Sequence, residues 1–461
     1  MKNIKKFNIK NLVLAFSLIL VSASCDGWID SDLNVEPDSP SDVPMSLLLP
    51  AIQQDMGYNL LGNNSVRTNN IWMQQFDGTD RQSFTEARYQ HTPADVNNLW
   101  SSIYASELIN SKLIIDKAQV EGSESDNFAG VAQVLIATTL GITTDLFGDI
   151  PYSEALEGSN NILKPVYDSQ ESVYNSIFGL LDDAIVNLNS SRNAVPVTGD
   201  VTYGGNVSQW IKAANSIKAR HALQLSNRNG NAAYTQALAA VAGGFTSNAD
   251  DFYVPFEDQN RNPIFQFMEQ RTDIRMAAPF VDLLKSNDDP RLPFYVAEDG
   301  DGEYTGSELG SQNGNASRPG DYVAAFDAPT YLMTYSELKF IEAEALLMTT
   351  GAASAQAAYE AAVAASVLRV TGSANTAWLD ANINGQTVTM ASIMEQKYID
   401  SFGTNQAYAD WRRTGLPSLS LYPGAVIPNI PTRFPYPQGE LDYNGDNVPS
   451  FTISDKLWWD N

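Results

Sequence analysis

The chain has 461 residues and a formal net charge of −26, because 54 acidic residues outnumber 28 Lys and Arg. So negative a surface repels nucleic acid and anionic membranes, which excludes binding to either by charge. A single cysteine excludes disulfides within the chain and thiolate sites for zinc or iron–sulfur clusters, so burial of apolar side chains must stabilise the fold.

The first 24 residues have the pattern of a lipoprotein signal peptide. Four lysines precede an apolar run at 12–21, which is too short to span a bilayer, and small residues then lead to Cys25. This position predicts that Cys25 is lipidated after cleavage, although Ser22 stands where a leucine is usual. An ordinary secretory signal cleaved near Ala23 is the alternative. Removal of the four lysines leaves a net charge of −30.

Beyond the cysteine, a tether and one domain are predicted. Residues 25–44 are polar, acidic and proline-bearing, and no later apolar run is expected to cross a membrane, so the lipid would be the attachment. Residues 45–461 are predicted to form one all-α domain. Apolar residues at helical spacing place its scaffold mainly at 45–61, 94–242 and 331–413. Long irregular insertions that form a ligand-binding face are predicted at 62–93, 243–330 and 414–461.

The same periodicity sets the individual helices. They are predicted at 45–61, 94–120, 128–147, 170–189, 208–228, 231–242, 274–285, 333–350, 354–370, 391–403 and 405–413. Gly148 and Pro151 are expected to end the third of these. Gly351 joins two alanine-rich helices whose small side chains permit close approach, and this pair resembles a tetratricopeptide-type pair.

Five motifs, in this order, resemble those of the SusD/RagB outer-membrane lipoproteins. They are Trp100 and Tyr104 with Asn110, the turn Leu-Phe-Gly-Asp-Ile-Pro-Tyr at 146–152, the helix at 331–347, Glu395 to Tyr398 with Ala409 to Arg413, and 431–437 with Glu440 and Asn444. The resemblance covers essentially the whole mature chain. The run Tyr-Ala-Asp-Trp-Arg-Arg-Thr-Gly at 408–415 is similar to that of the SusD-like branch.

The resemblance implies an all-α fold with tetratricopeptide-like helix pairs and a lipid anchor in the outer membrane, facing the exterior. It implies a SusC-type TonB-dependent transporter as partner, on which the protein acts as a lid that binds glycans or sometimes peptides. No cofactor and no catalysis are expected. Capture of oligosaccharides for this transporter is therefore the leading hypothesis. A peptide-binding lid is the alternative, followed by a lipid-anchored hydrolase.

Candidate ligand-binding residues are suggested by the chemistry of sugars. Aromatic rings pack on pyranose faces, while amides and carboxylates bind the hydroxyl groups. The insertion at 62–93 has this composition and predicts ligand contacts from Trp72, Gln74, Phe76, Asp77, Arg81 and Tyr89. Tyr322 is a further candidate. For Trp72 the alternative is a residue pinned to the helical core. Trp458 and Trp459 are expected simply to pack on the body.

An acidic stretch at 298–303 could offer oxygen ligands to calcium. Asp299, Asp301 and Glu303 are the weak candidates, but a solvated acidic turn is the preferred interpretation because Gly310 occupies the twelfth position of an EF-hand loop. The stretch at 442–447 offers similar oxygen ligands, but Ile453 occupies its twelfth position, so a solvated acidic turn is preferred there too.

Sequence motifs for catalysis are also missing. The two histidines, His91 and His221, do not belong to a recognisable catalytic motif, and a lone histidine is weak evidence for a general base. A glycosidase needs only two carboxylates, so composition leaves a hydrolase open.

Overall fold

The computed structural model describes residues 43–460. The predicted signal peptide, Cys25 and all but the last two residues of the predicted tether lie outside the described residues. Residues Met45–Asn461 form one compact unit.

This unit consists mainly of α-helices, which confirms the all-α class. In chain order they are α1 (Met45–Asp55), α2 (Asn64–Trp72), α3 (Arg81–Ala87), α4 (Asn97–Ser102), α5 (Ile109–Lys117), α6 (Asp126–Phe147), α7 (Gln170–Leu188), α8 (Val207–Gln224), α9 (Ser226–Asn229), α10 (Asn231–Val241), α11 (Pro263–Gln270), α12 (Ala278–Ser286), α13 (Leu292–Tyr295), α14 (Asp321–Ala324), α15 (Tyr335–Thr350), α16 (Ala352–Thr371), α17 (Thr376–Asn382), α18 (Met390–Asp400), α19 (Gln406–Thr414) and α20 (Gln438–Tyr443). The strands are β1 (Phe76–Gly78), β2 (Phe252–Val254), β3 (Ile274–Met276) and β4 (Thr330–Met333).

The long helices pack as neighbours in the chain: α6 with α7, α8 with α10, and α15 with α16. Ser125 caps α6 by accepting a hydrogen bond from the Phe128 N–H, and Gly148 ends it with a φ of +87°, as the turn motif predicts. Gly351, with a φ of +97°, makes the turn between α15 and α16. Small buried side chains at their crossing are Ala343, Ala355, Ala358 and Ala362.

The helices predicted at 45–61 and 94–120 are not continuous α-helices. π-helical turns replace the α-helical ladder at Met56–Leu60 and Ile103–Leu108. Each such turn adds a residue to the helical repeat and rotates the next part of the helix, which apolar periodicity alone does not reveal. The side chains of Ser102 and Asp55 hydrogen-bond at 2.5 Å, so the two interrupted helices are joined close to their π-helical turns.

The insertion predicted at 62–93 is not irregular: it contains α2, β1 and α3. β1 pairs antiparallel with β3, with Phe76 opposite Met276 and Gly78 opposite Ile274, so this insertion is tied to the second one. β2 pairs antiparallel with β4. The sequence pattern does not reveal these elements because tertiary contacts bury their polar residues, as at Asn69 and Asn70 in α2, which removes the amphipathic pattern.

Among the described residues, α6 is the one helix that could cross a membrane by length and composition. Within the protein, however, 83% of its apolar window is buried. Burial of this extent marks α6 as the central core helix of the domain.

Candidate functional site

Five of the predicted ligand-binding residues lie inside the protein. Trp72 and Phe76 are fully buried, and Gln74, Asp77 and Tyr89 expose at most 3% of their surface. The Trp72 Nε1–H donates to the Glu86 carbonyl at 3.0 Å, and its ring packs edge-on against Phe434. The prediction that this segment presents an aromatic surface to sugar is therefore corrected: the alternative, in which Trp72 is pinned to the core, describes the structure.

The buried residues instead hold a neighbouring loop, 416–426, in place. The Tyr422 hydroxyl donates to Asp77 Oδ1 at 2.8 Å, and the Tyr422 N–H donates to the Tyr89 hydroxyl at 3.1 Å. The Gln74 amide donates to the Ser420 carbonyl. On the other oxygen of Asp77, the Ser307 hydroxyl donates at 2.5 Å. We call Gln74, Asp77 and Tyr89 the loop brace, because they fix parts of all three predicted insertions to one another.

The loop brace predicts a dependence of stability on pH. Burial raises the pKa of Asp77 to about 6, although the Ser307 and Tyr422 hydroxyls partly offset it. Since the folded state then holds this proton more tightly than the unfolded chain, stability is lost as pH rises from about 4 to about 6. Chemical denaturation should therefore show that the free energy of unfolding of Asp77→Asn rises relative to that of the wild type between about pH 4 and about pH 6. Above about pH 6 the difference between the two proteins should stay constant. A difference that is the same at pH 4 and pH 7.5 would contradict the proton linkage.

Arg81 is the predicted site residue that reaches the surface. Its side chain is about half exposed, at 53%, and its guanidinium contacts the buried Asp273 at 2.5 Å. Asp273 also lies 3.7 Å from the Arg271 guanidinium, just beyond the end of α11. This shared carboxylate connects Arg81 to the second insertion, where α11 forms a surface groove.

Asn262 builds the local structure of that groove. Its side-chain oxygen caps α11, accepting from the N–H groups of Ile264 at 2.8 Å and Phe265 at 3.1 Å. Its side-chain amide donates to the Ala328 carbonyl and its own N–H to the Phe326 carbonyl, both at 2.8 Å. One residue thus starts the helix and positions a distant loop. As a result, the Phe265 and Phe326 rings meet edge to face with centroids 6.4 Å apart.

The resulting surface, which we call the insertion groove, has a volume of about 380 Å³. Its lining residues are Asp258, Gln259, Arg261, Phe265, Gln266, Glu269 and Gln270. The Arg261 guanidinium lies 5.8 Å from the Phe265 ring centroid, and Phe326 beside the groove is 38% exposed. Within residues 43–460, the side chains of Gln259, Glu269 and Gln270 have no hydrogen-bond or ion-pair partner. The groove therefore combines the Phe265 ring, with Phe326 packed beside it, and free amide and carboxylate groups.

Sequence reasoning missed these residues. Asn262-Pro263 is a helix-start signal, a capping residue before a proline at the first helical position, and it could have indicated α11 inside the insertion. The approach of Phe326 to Phe265 could not have been found this way, because it depends on hydrogen bonds between segments about sixty residues apart in the chain.

Tyr322, the remaining candidate, lies away from the groove residues. It lines an inner cavity of about 40 Å³, where its ring stacks on Tyr331 at 6.0 Å and its hydroxyl accepts from Arg369 at 3.2 Å. Arg369 in turn pairs with Asp400 at 2.6 Å. This volume accommodates about three water molecules and no sugar ring. In this structure Tyr322 is part of a buried charged network, not of an open binding surface.

Both histidines are buried among packed side chains. Burial lowers the pKa of His91 to about 4 and that of His221 to about 3, with the Arg220 charge adding to the effect at His221. His91 is enclosed by the rings of Trp72 and Phe434. Neither side chain reaches a surface where it could exchange a proton with a substrate.

The acidic stretch at 298–303 forms a hydrogen-bonded turn. One Asp299 oxygen accepts from the N–H groups of Asp301 at 2.9 Å and Glu303 at 3.0 Å, and the other accepts from the Thr305 hydroxyl at 2.7 Å. These contacts lower the pKa of Asp299, with the Thr305 bond the largest cause. In the described part of the chain, no group of three or more His, Cys, Asp or Glu side chains is placed to hold a metal ion.

The protein is therefore a helical domain in which paired helices carry insertions bonded to one another, with an open groove of unpaired polar side chains on one of them. Residues 37–437 match the SusD-like_2 family, which is described as "Starch-binding associating with outer membrane". Because the match spans most of the chain, the protein belongs to this SusD-like family. No curated protein matches the chain.

Solved structures show the same fold. A chitin-binding protein is 27% identical, with a TM-score of 0.79 over 91% of this chain and 100% of its own. A SusD/RagB family protein from Bacteroides thetaiotaomicron is 25% identical, with a TM-score of 0.75 over 91% and 99%. A chitin-binding SusD homologue from Flavobacterium johnsoniae is 24% identical, with a TM-score of 0.76 over 90% and 98%, which shows similarity of fold alone. The all-α fold with tetratricopeptide-like pairs is thereby confirmed.

Proposed function

We propose that this protein is a lipid-anchored binding protein that captures oligosaccharides outside the outer membrane and hands them to a SusC-type TonB-dependent transporter. Family membership supports the association with the outer membrane and the binding of saccharides. The chitin-binding protein of the same fold supports a glycan as the ligand. The observation in this chain that carries the proposal is the insertion groove, with its aromatic rings beside free amide and carboxylate groups.

The groove fits the chemistry of a saccharide. A pyranose presents an apolar C–H face, which packs on a ring such as Phe265, and hydroxyl groups at its rim, which need both donors and acceptors. The Gln259 and Gln270 amides supply both, while the Glu269 carboxylate accepts. A volume of about 380 Å³ falls at the lower end of the range of small-ligand pockets. We therefore expect the groove to hold a short stretch of the glycan.

Two other functions are distinguished by ligand and product. A peptide-binding lid would use the same groove, but its amide and carboxylate groups would bind a peptide backbone instead of hydroxyls. A hydrolase would convert the bound glycan into shorter products. We favour binding without catalysis because neither buried histidine is available as a proton donor or acceptor.

The proposal is tested by isothermal titration with chito-, malto- and cello-oligosaccharides and, in parallel, with a peptide mixture. Phe265→Ala and Phe326→Ala should each weaken binding of the preferred glycan about tenfold or more, because each removes a stacking ring worth about 1.4 kcal/mol or more. Phe294→Ala is the matched control: Phe294 is 37% exposed, close to the 38% of Phe326, but it does not line the groove and, unlike Phe326, makes no ring contact with Phe265.

Binding of peptides and of no glycan would replace the proposal by the peptide-binding lid, and turnover of a bound glycan would replace it by the hydrolase. The anchor and the transporter rest on the resemblance to the family and on the signal sequence. Two measurements test that part of the proposal. The protein should co-purify with a large outer-membrane barrel protein, and the Cys25→Ser variant should be lost from the membrane fraction.

A further inference from the structure

A second groove lies at the C-terminal end of the chain. It has a volume of about 330 Å³, and we call it the C-terminal groove; its lining includes Asp149, Glu171, Arg228, Phe451, Lys456 and Trp458. None of them belongs to the insertion groove. Its walls come from the turn after α6, the start of α7, the short helix α9 and the last part of the chain.

Two neighbouring tryptophans at the end of the chain have different environments. Trp459 is fully buried, and its Nε1–H donates to Asp145 at 2.9 Å. Because Trp459 is anchored in the core, Trp458 lies toward the surface and lines the groove, half-buried. Both tryptophans pack on the body as expected, Trp458 with its ring centroid 6.4 Å from that of Tyr174, but Trp458 also lines the groove. Arg228 holds Trp458 in place: its Nε donates to the Trp458 carbonyl at 2.5 Å and its guanidinium lies 5.1 Å from the ring centroid.

A second aromatic ring is held in the same manner. The Arg433 guanidinium lies 4.2 Å from the Phe451 ring centroid, and Arg433, only 2% exposed, is fixed by a hydrogen bond to the Phe147 carbonyl. Phe451 nevertheless remains 47% exposed. A side chain at Gly148 would place its Cβ 3.1 Å from the Arg433 guanidinium, so glycine there permits the close packing. A large ring that is rigidly supported and still open to solvent is available for stacking on a ligand.

The polar groups between the rings carry both signs. Asp149 and Glu171 are acidic, whereas Arg228, Arg433 and Lys456 are basic. In the described part of the chain, the Glu171 carboxylate has no hydrogen-bond or ion-pair partner. An anionic ligand would face two carboxylates and a cationic ligand three bases. The bases are already engaged, Arg228 and Arg433 by backbone carbonyls and Lys456 by Asp460, so neither charge is favoured in a ligand. An uncharged ligand with an apolar face and many hydroxyl groups satisfies both the rings and the charged groups.

We propose that the C-terminal groove is a second saccharide-binding site, with Phe451 and Trp458 as its stacking rings and Glu171 as a hydrogen-bond acceptor for sugar hydroxyls. The inference rests on the proposed function only for the choice of sugars as probes. A chain with two separate saccharide sites could hold two strands, or two distant parts, of one polymer, which strengthens retention through a high effective concentration at the second site.

The test uses fluorine NMR of the whole mature protein labelled with 5-fluorotryptophan, titrated with chito-, malto- and cello-oligosaccharides. Trp458→Phe assigns the Trp458 resonance. At least one oligosaccharide series should shift this resonance, and Phe451→Ala should weaken the titration about tenfold. Tyr443→Ala, at a 79% exposed ring that does not line the groove, should leave it unchanged.

The two proposals fail separately. A Trp458 resonance that none of the three oligosaccharide series moves overturns the second site, whether or not the insertion groove binds. If Phe265→Ala and Phe326→Ala leave the Trp458 shift unchanged but weaken calorimetric binding, the protein has two independent sites. If the Trp458 resonance shifts but Phe265→Ala and Phe326→Ala leave calorimetric binding unchanged, the insertion groove is not a binding site and the C-terminal groove is.

Discussion

Replacing Arg413 with methionine is expected to lower the free energy of unfolding by about 3–5 kcal/mol, because it leaves buried carboxylates without their counter-ion. The Arg413 guanidinium makes a bidentate contact with Glu344, with one bond of 2.7 Å, and lies 3.0 Å from Asp410. All three side chains are at most 7% exposed. Lys397 contacts Asp410 at 2.8 Å and completes the network. Chemical denaturation measures the change.

The charges of this network are strongly coupled. Burial raises the pKa of Asp410, but Lys397 and Arg413 outweigh it, so the net shift is downward. Adding Glu344→Gln to Arg413→Met removes the uncompensated charge and should recover a large part of the lost stability, since Asp410 keeps Lys397. Lys112→Ala is the control, because its exposed pair with Asp116 should contribute less than about 0.5 kcal/mol. Equal effects of Arg413→Met and Lys112→Ala would contradict this account.

Trp72→Ala is expected to lower the free energy of unfolding by about 3–5 kcal/mol while leaving the affinity of the folded protein for glycan unchanged. The ring is fully buried and packs edge-on against His91, Tyr408 and Phe434 at 5.3–5.6 Å between centroids. Its removal leaves a large cavity between α2, α19 and the C-terminal segment. Denaturation and titration calorimetry on the same preparation measure the two quantities.

Phe326→Ala should have the opposite effects to Trp72→Ala. Because this ring is 38% exposed, its removal should weaken glycan binding and leave the free energy of unfolding within about 0.5 kcal/mol of the wild-type value. Trp72→Phe should be intermediate in stability, because it keeps an aromatic ring but loses the bond to the Glu86 carbonyl. Weaker glycan binding by Trp72→Ala at unchanged stability would restore Trp72 to the ligand-binding surface.

Most long helices of this protein can be predicted from the sequence. The helices predicted at 128–147, 170–189 and 354–370 lie within two residues of α6, α7 and α16, because their buried faces repeat at the helical period. By contrast, the sequence pattern places α2 and α3 in an irregular insertion, because hydrogen-bonded polar side chains such as Asn70 fill the interior there.

The candidate site is predictable only in its general location. Composition directs attention to the insertions, and both grooves use them: α11 lies within 243–330 and Phe451 within 414–461. The residues that line the grooves are not the predicted ones, however, since a segment of aromatic and amide residues has the same composition whether it faces a sugar or the core. Gln74, Asp77 and Tyr89 have the composition of a binding surface but form the loop brace in the interior.

Fold class and family are set by local patterns: the spacing of apolar residues and the order of short motifs. Which aromatic rings remain accessible is set by contacts between distant segments. Asn262 positions Phe326, and the burial of Trp459 turns Trp458 outward. Exposure of a side chain depends on everything packed against it, so it arises only when the tertiary structure forms.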